Sequence, residues 1–321
     1  KGRQHKNIRV INASTRTKFN LSEYQQILKE QGEDIEVFDI PQFSKGQTWS
    51  VVQPNQQKQL EQFESACMYN GKLQRIDDIA NISNGMVSGL DKAFNVTDLP
   101  LNELENQSCI DVIKAKDIAP YRYNSTSRYF LLNHLDLDEQ RFKQDYPNLH
   151  KHLRDYVEQL EKRYQYGEKI EYWNWVFLRN LKTFQQNIQR IFVPCKERIS
   201  NKDYFRFCLA QPHCYPTQDV TAITLKPDMN IDLRYVLAFL NSKFVFQWLS
   251  TKGIIKGAIV EFSAKPIKSI PFRMIDFNLP KEKQLHDDIV TLTQQYIDHG
   301  EPDLIKHIET KISTLLYGDN I

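Results

Sequence analysis

Two glycines four apart, followed at once by a carboxylate and an ammonium, mark the stretch of this chain best suited to holding an anion: Ile82-Ser-Asn-Gly85-Met-Val-Ser88-Gly89-Leu-Asp91-Lys92-Ala-Phe94-Asn-Val96. Glycine lets the backbone take positive φ and come close to a ligand. Gly85 and Gly89 would then offer bare amides to a phosphate or a base edge, with Ser88 and Lys92 beside them. The same spacing suits a plain hairpin that needs two glycines, with a strand entering from Ile79–Ile82 and a strand returning through Phe94-Asn-Val96.

Further along, basic and amide side chains gather in or beside turns, from which they reach outward. Lys92, Arg122, Lys196, Lys252 and Lys256 are of the type that neutralises phosphates. Arg198, Asn201 and Lys202, expected in a hairpin between two strands, and Thr217 and Gln218 of Tyr215-Pro-Thr-Gln, are of the type that reads base edges. Trp173 and Trp175, two apart, would share one face of a strand and suit packing better than base stacking.

Other chemistries find little footing. Five scattered cysteines without a C-x-x-C pair point to reduced thiols, not to a disulfide framework or zinc. His213-Cys214 is the only adjacent pair of potential ligands, and no metal site is expected. Asp303, Glu309 and Lys311 mimic a magnesium-dependent nuclease signature. They read instead as one amphipathic helix with Leu304, Ile308 and Ile312 inside. No G-x-x-x-x-G-K-S/T loop occurs, so no catalytic residue is expected.

At 321 residues, with 40% hydrophobic and 26% charged, the chain has the composition of an ordinary globular protein of about two domains. No stretch approaches the ~20 apolar residues of a membrane span. The first residue, Lys1, is not Met, and a piece of a longer polypeptide is the expectation. Net charge is only +2, but it is partitioned. Residues 179–206 carry Arg179, Lys182, Arg190, Lys196, Arg198, Lys202 and Arg206 against Glu197 and Asp203. Residues 243–273 carry six basic side chains against Glu261 alone, while 279–321 has four lysines against eight acids. Such a distribution fits a chain with one face turned to an anion.

Positioning these residues falls to alternating elements. Residues 1–70 read as a short α/β piece: strands at Ile8–Ile11 and Ile35–Ile40, and a helix at Leu21–Lys29 capped by Asn20. Gln53–Gln62 is a connection or a solvated helix. Short β runs follow at Arg75–Ile82, Lys92–Val96, Cys109–Ile113 and Arg128–Leu132. Asp145-Tyr146-Pro147 opens a helix with its stripe at Leu149, Leu153, Leu160 and Tyr164. A second β group, Ile191–Cys195, Tyr204–Leu209 and Val220–Leu225, leads into an apolar helix from Asp232 with a break at Asn241-Ser242. Lys252-Gly253 and Lys256-Gly257 flank an extended Ile254-Ile255. Two helices close the chain, at about 281–297 and 303–317.

The order of these segments resembles the TaqI-type C-terminal specificity domain of adenine-specific (N-6) DNA methyltransferases and type IIG restriction-modification proteins. The likeness spans roughly 75–318. It rests on the 84–94 glycine block, Lys116-Asp-Ile-Ala-Pro-Tyr121-Arg-Tyr123, Tyr146-Pro-Asn-Leu149 with Leu160-Glu-Lys-Arg163, and Tyr172-Trp-Asn-Trp175 leading to Arg190–Lys196. Leu237–Phe244 and Ile312–Gly318 complete it. The resemblance implies an α+β fold: a bent mixed or antiparallel sheet with flanking helices over 71–275, and a helical pair over 276–321. Residues 1–70 would be a connector or the tail of an N-terminal methyltransferase domain. It also implies double-stranded DNA as partner, S-adenosylmethionine as cofactor of the parent protein but not of this fragment, and a bacterial, cytoplasmic setting. The Asn-Pro-Pro-aromatic tetrapeptide of such catalytic domains is absent from the 321 residues, so this piece is not expected to methylate alone. A DNA-cleaving restriction portion and a protein-interaction module are the alternatives.

Overall fold

The computed structural model describes residues 7–12, 20, 22, 25–26, 29, 36–41, 52–164, 167, 170–200 and 202–318. The chain divides into two compact units, Lys1–Ala66 and Cys67–Ile321. In the first, β1 (Asn7–Asn12) and β2 (Glu36–Pro41) pair antiparallel with Asn7 opposite Pro41. The Gln-rich segment is a helix, Pro54–Ala66, that buries Leu60 and Phe63. Most of the helix expected at Leu21–Lys29 lies outside the described residues.

The second unit is α+β, as the resemblance implies. It opens on a hairpin, β3 (Met68–Tyr69) and β4 (Lys72–Leu73), whose turn residues Asn70 and Gly71 both take positive φ. Its central sheet has the order β10-β8-β12-β5, antiparallel throughout, with β5 at Ala80–Asn84, β8 at Arg190–Pro194, β10 at Cys208–Ala210 and β12 at Val220–Leu225. β8 is buried along its whole length and β12 over all but Leu225, so both faces of these strands are covered, with Arg190, Thr221 and Thr224 buried among the apolar side chains. A second, mixed sheet has the order β11-β6-β7. In it β11 (Cys214–Pro216) runs parallel to β6 (Cys109–Ile113), and β7 (Ser127–Phe130) antiparallel to it. A third sheet, order β13-β14-β9, joins Ile254–Lys256, Ile259–Glu261 and Lys196–Arg198.

The core gathers where the central and mixed sheets meet the 142–184 segment. Trp175 packs edge-on against Phe94 and Tyr129, and Trp173 stacks on Phe142 at 4.8 Å. Both indoles are packing residues, as their sequence spacing favours, although neither lies on a strand. The Trp175 backbone exchanges two 2.8 Å hydrogen bonds with the Asn133 amide, and its indole N–H donates to Phe130 O.

Several elements differ from their sequence pattern, each for a tertiary reason. Ile76–Ile79 is a helical turn preceding β5. The strand expected at Lys92–Val96 is replaced by a helical turn, Asp91–Phe94, which buries Ala93 and Phe94. The 145–164 helix is two pieces, Pro147–Leu153 and Val157–Glu161. Asp145 ends the preceding helix and caps nothing. The cap is the buried Glu105 carboxylate, 43 positions away, which accepts from the Asn148 and Leu149 N–H groups. Of Tyr204–Leu209, only the end from Cys208 onward pairs as strand.

The break at Ser242 is as expected: helix Leu233–Asn241 stops, and the Ser242 hydroxyl accepts from Val245 N–H to start helix Lys243–Lys252. Helices Pro280–His299 and Pro302–Tyr317 close the chain. Among the described residues no helix is long and apolar enough to cross a membrane.

Candidate nucleic-acid interface

At the glycine loop the close approach is to the chain's own backbone. A Cβ on Gly85 would lie 2.1 Å from Thr217 O and 2.7 Å from Pro216 O. Of the two glycine amides expected to be bare, that of Gly85 is engaged: Gly85 N–H donates to Val220 O, and its neighbours Met86 N–H and Val87 N–H donate to Pro216 O and Phe177 O, at 2.9–3.0 Å. Gly89 does take positive φ (+86°), but a Cβ there would meet Val176 and Arg163 at 2.5 and 2.8 Å. At Gly85–Val87 the loop is a seam that knits β5 to the turn after β11, because these three amides each find a carbonyl.

Arg163 latches this seam. Its guanidinium donates to Ser88 O at 3.0 Å, Asn174 O at 2.5 Å and Glu171 O at 3.2 Å, and lies 5.5 Å from the Phe94 ring centre. Burial without a carboxylate partner pulls its pKa down to about 10. Behind the loop the buried Ser88 hydroxyl donates to Asp91, which also receives the Lys114 ammonium. Burial lowers the Lys114 pKa, but the Asp91 hydrogen bond and charge outweigh it and raise the value. Asp219 accepts from Ala115 N–H and from the Thr217 hydroxyl.

The third sheet is where the basic residues meet. In β9 Lys196 and Arg198 are exposed and Glu197 between them is buried, as alternation in a strand requires. Register sets Arg198 opposite Ile259 and Lys196 opposite Glu261 on β14, and in turn Ile259 opposite Lys256 and Glu261 opposite Ile254 on β13. Residues directly opposite share a face. One outward face therefore presents Lys196, Arg198 and Lys256 around Ile259 and Glu261. On the inner side the Glu197 carboxylate, 3% exposed, accepts three Arg206 bonds at 2.8, 2.9 and 3.1 Å and the Lys202 ammonium. Arg206 donates onward to Ala115 O and Ile118 O. That ion pair fastens the ribbon to the 115–118 segment.

Of the residues singled out by sequence, Lys196, Arg198 and Lys256 thus converge. Gln218 is exposed, and its turn is joined to the start of β9 through Cys195 N–H and Asp219 O at 2.8 Å. Half-buried Lys252 ends the helix that leads into β13. Arg198 and Lys202 do lie in the connection between the antiparallel strands β8 and β10, with Arg198 on β9 inside that connection and Lys202 turned back to Glu197. Asn201 lies outside the described residues. Thr217 is fully buried with its hydroxyl turned inward. Lys92 is exposed, 5.3 Å from the Tyr156 ring centre. The Arg122 guanidinium lies against Gly300, the left-handed cap of helix Pro280–His299, where a cation complements the helix C-terminus.

Sequence reasoning passed over Glu197, Arg206, Ile259 and Glu261. The local signal for them was the Lys-Glu-Arg alternation of β9 and the Gly257 turn that folds β13 onto β14. The nuclease lookalike dissolves into separate contacts: Asp303 pairs with Lys306, Glu309 accepts from Lys243 N–H, and Lys311 pairs with Asp288.

No family model matches the chain. The type II methyltransferase M.HindII of Haemophilus influenzae is 40% identical over 328 residues, covering 98% of this chain and 61% of that protein. The type II methyltransferase M.HincII, from the same species, is 39% identical over 319 residues, covering 98% of this chain and 60% of that protein. The chain therefore spans about 60% of the length of these curated relatives. Among solved structures, the type IIL restriction-modification enzyme MmeI in complex with DNA aligns at a TM-score of 0.55 and 11% identity, over 76% of this chain and 33% of that one. That is a likeness of fold.

Proposed function

We propose that this chain is the target-recognition part of an adenine-specific type II DNA methyltransferase. It binds duplex DNA and positions it for base flipping by a catalytic domain of the same polypeptide. The single observation that carries the reading is the convergence of Lys196, Arg198 and Lys256 on one outward ribbon face. The likeness to two type II methyltransferases along nearly the whole chain supports it.

In this reading Lys196, Lys252 and Lys256 neutralise phosphates, and Arg198 and Gln218 face base edges. Lys92 and Arg122 are further phosphate candidates outside the ribbon face. Gly85, Ser88, Gly89 and Thr217 act by holding the seam that seats the ribbon. Residues 1–70 form the connector to the catalytic domain, in a bacterial cytoplasm. S-adenosylmethionine belongs to that domain. In the glycine loop here, the Gly85, Met86 and Val87 amides are already spent on the chain's own carbonyls.

The test is fluorescence anisotropy of a labelled 30-base-pair duplex against the 321-residue chain at rising salt. Binding that weakens steeply, as counterion release demands, supports the reading. No affinity at low salt overturns it.

A further inference from the structure

One side chain on the ribbon face does not belong to a surface built only for phosphates. Glu261 stands among Lys196, Lys256 and Arg198, opposite Lys196 in the register. A carboxylate there repels every phosphate that its neighbours attract. It is also held in one orientation: Oε1 accepts from the Ser263 hydroxyl at 2.6 Å and Oε2 from the Lys256 ammonium at 3.2 Å. Those two hydrogen bonds, the Ser263 bond first, hold its pKa below the usual carboxylate range. A carboxylate offers about four lone-pair sites, so each oxygen keeps an acceptor position, and the side chain is 24% exposed.

The element that carries Glu261 has the shape of a groove reader. β13 and β14 form a two-stranded hairpin whose tip, Lys256-Gly257-Ala258-Ile259, is exposed throughout. Two strands ~4.8 Å apart make a ribbon of the kind the major groove, about 12 Å wide, admits. In that groove the only base edge that donates without also accepting is the N4 amino group of cytosine, and acidic side chains are its partners.

We propose that Glu261 is a specificity-determining residue that accepts the N4 amino hydrogen of a cytosine in the major groove, beside Arg198, which donates to the acceptor edge of a guanine at a neighbouring base pair. The proposal rests on the DNA-binding reading above. Ser263 and Lys256 are then positioning residues for the carboxylate, and Ile259, between Arg198 and Lys256, supplies apolar contact.

The experiment selects duplexes from a pool of 30-base-pair DNA with a randomised core, using the 321-residue chain and its Glu261→Ala and Glu261→Gln variants, each matched to the parent chain by thermal melting. The selected duplexes are then titrated by anisotropy. The parent chain should require cytosine at one position. Glu261→Ala should accept any base there, losing roughly 10-fold or more of discrimination, while binding random duplex as tightly as the parent or more tightly, because a repelling charge is gone. Glu261→Gln should shift the preference at that one position toward adenine, whose N6 and N7 suit an amide.

Base preference unchanged in both variants, with affinity rising equally for all sequences, would make Glu261 merely the ion-pair partner of Lys256 and overturn the proposal alone. A parent chain that enriches no sequence at all, or binds no DNA, overturns it together with the target-recognition reading.

Discussion

Removing the Glu197 carboxylate should loosen the basic ribbon from the body of the protein. In Glu197→Ala, Arg206 loses its three bonds to the carboxylate and keeps the Ala115 and Ile118 carbonyls, while Lys202 loses its carboxylate partner. Breaking a fully buried ion pair on one side costs ~3–5 kcal/mol. Glu197 is 3% exposed, but the Arg206 and Lys202 side chains are 24% and 31% exposed and will partly rehydrate. That lowers the expected cost to about 2–3 kcal/mol. Glu197→Gln keeps a carbonyl acceptor for Arg206 and should cost about 1–2 kcal/mol. Urea denaturation followed by tryptophan fluorescence, to which buried Trp173, Trp175 and Trp248 contribute, measures both. A shift in midpoint at constant m reports stability alone. A Glu197→Ala penalty under ~0.5 kcal/mol, the range of ordinary surface changes, would refute the tether.

Gly85→Ala should be severe, about 3 kcal/mol or more, since its Cβ meets backbone oxygens that cannot move without parting two strands. Gly71→Ala meets nothing within 4 Å and bears only its left-handed φ of +74°, about 1–2 kcal/mol; thermal melts that rank the two equally would contradict the seam. Burial raises the Glu309 pKa, against the opposing Lys243 N–H bond. The folded state then holds its proton longer than the unfolded one, and stability falls as pH rises above the ordinary glutamate value. Glu309→Gln, which keeps an acceptor for Lys243 N–H, should be more stable than the parent at pH 7. The gain should vanish near pH 4, and melts across that range that reverse this order would refute the sign. Lys196→Ala should lower the slope of log affinity for duplex DNA against log salt by about 0.9 if the ammonium meets a phosphate; an unchanged slope assigns Lys196 elsewhere.

Much of the fold was legible in local pattern, and the reasons are particular. β12 matches its apolar run residue for residue, and the Ser242 cap interrupts an otherwise continuous helix as its hydroxyl dictates. The failures share a cause. Lys92–Val96 reads as strand, but Asp91–Phe94 turns helical so that Ala93 and Phe94 can enter the aromatic core. Pro147–Leu153 takes its cap from Glu105, which no window around Asp145 contains. Lys196, Arg198 and Lys256 could be named from composition and turn position. That they share a face depends on strands 60 positions apart pairing in one register, Arg198 to Ile259 to Lys256.

Glycine spacing was the strongest local signal, yet the open basic surface lies elsewhere, and the two facts are connected. A phosphate nest needs consecutive amides without protein acceptors. At 85–87 every amide already has a carbonyl within 3.0 Å, so the loop is ordered by the chain itself. Its closeness to the 216–217 backbone fixes the turn that continues through Gln218 and Asp219, and Asp219 O receives Cys195 N–H just where β9 begins. From there alternation does the rest: one inward carboxylate anchors the strand through Arg206, and the two side chains flanking it must both face solvent. A glycine at position 85 thus bears on the placement of Lys196 and Arg198 through the 216–219 turn and the Cys195 N–H to Asp219 O bond. Substitutions in the loop should therefore alter any ligand contact at the ribbon without the loop touching that ligand.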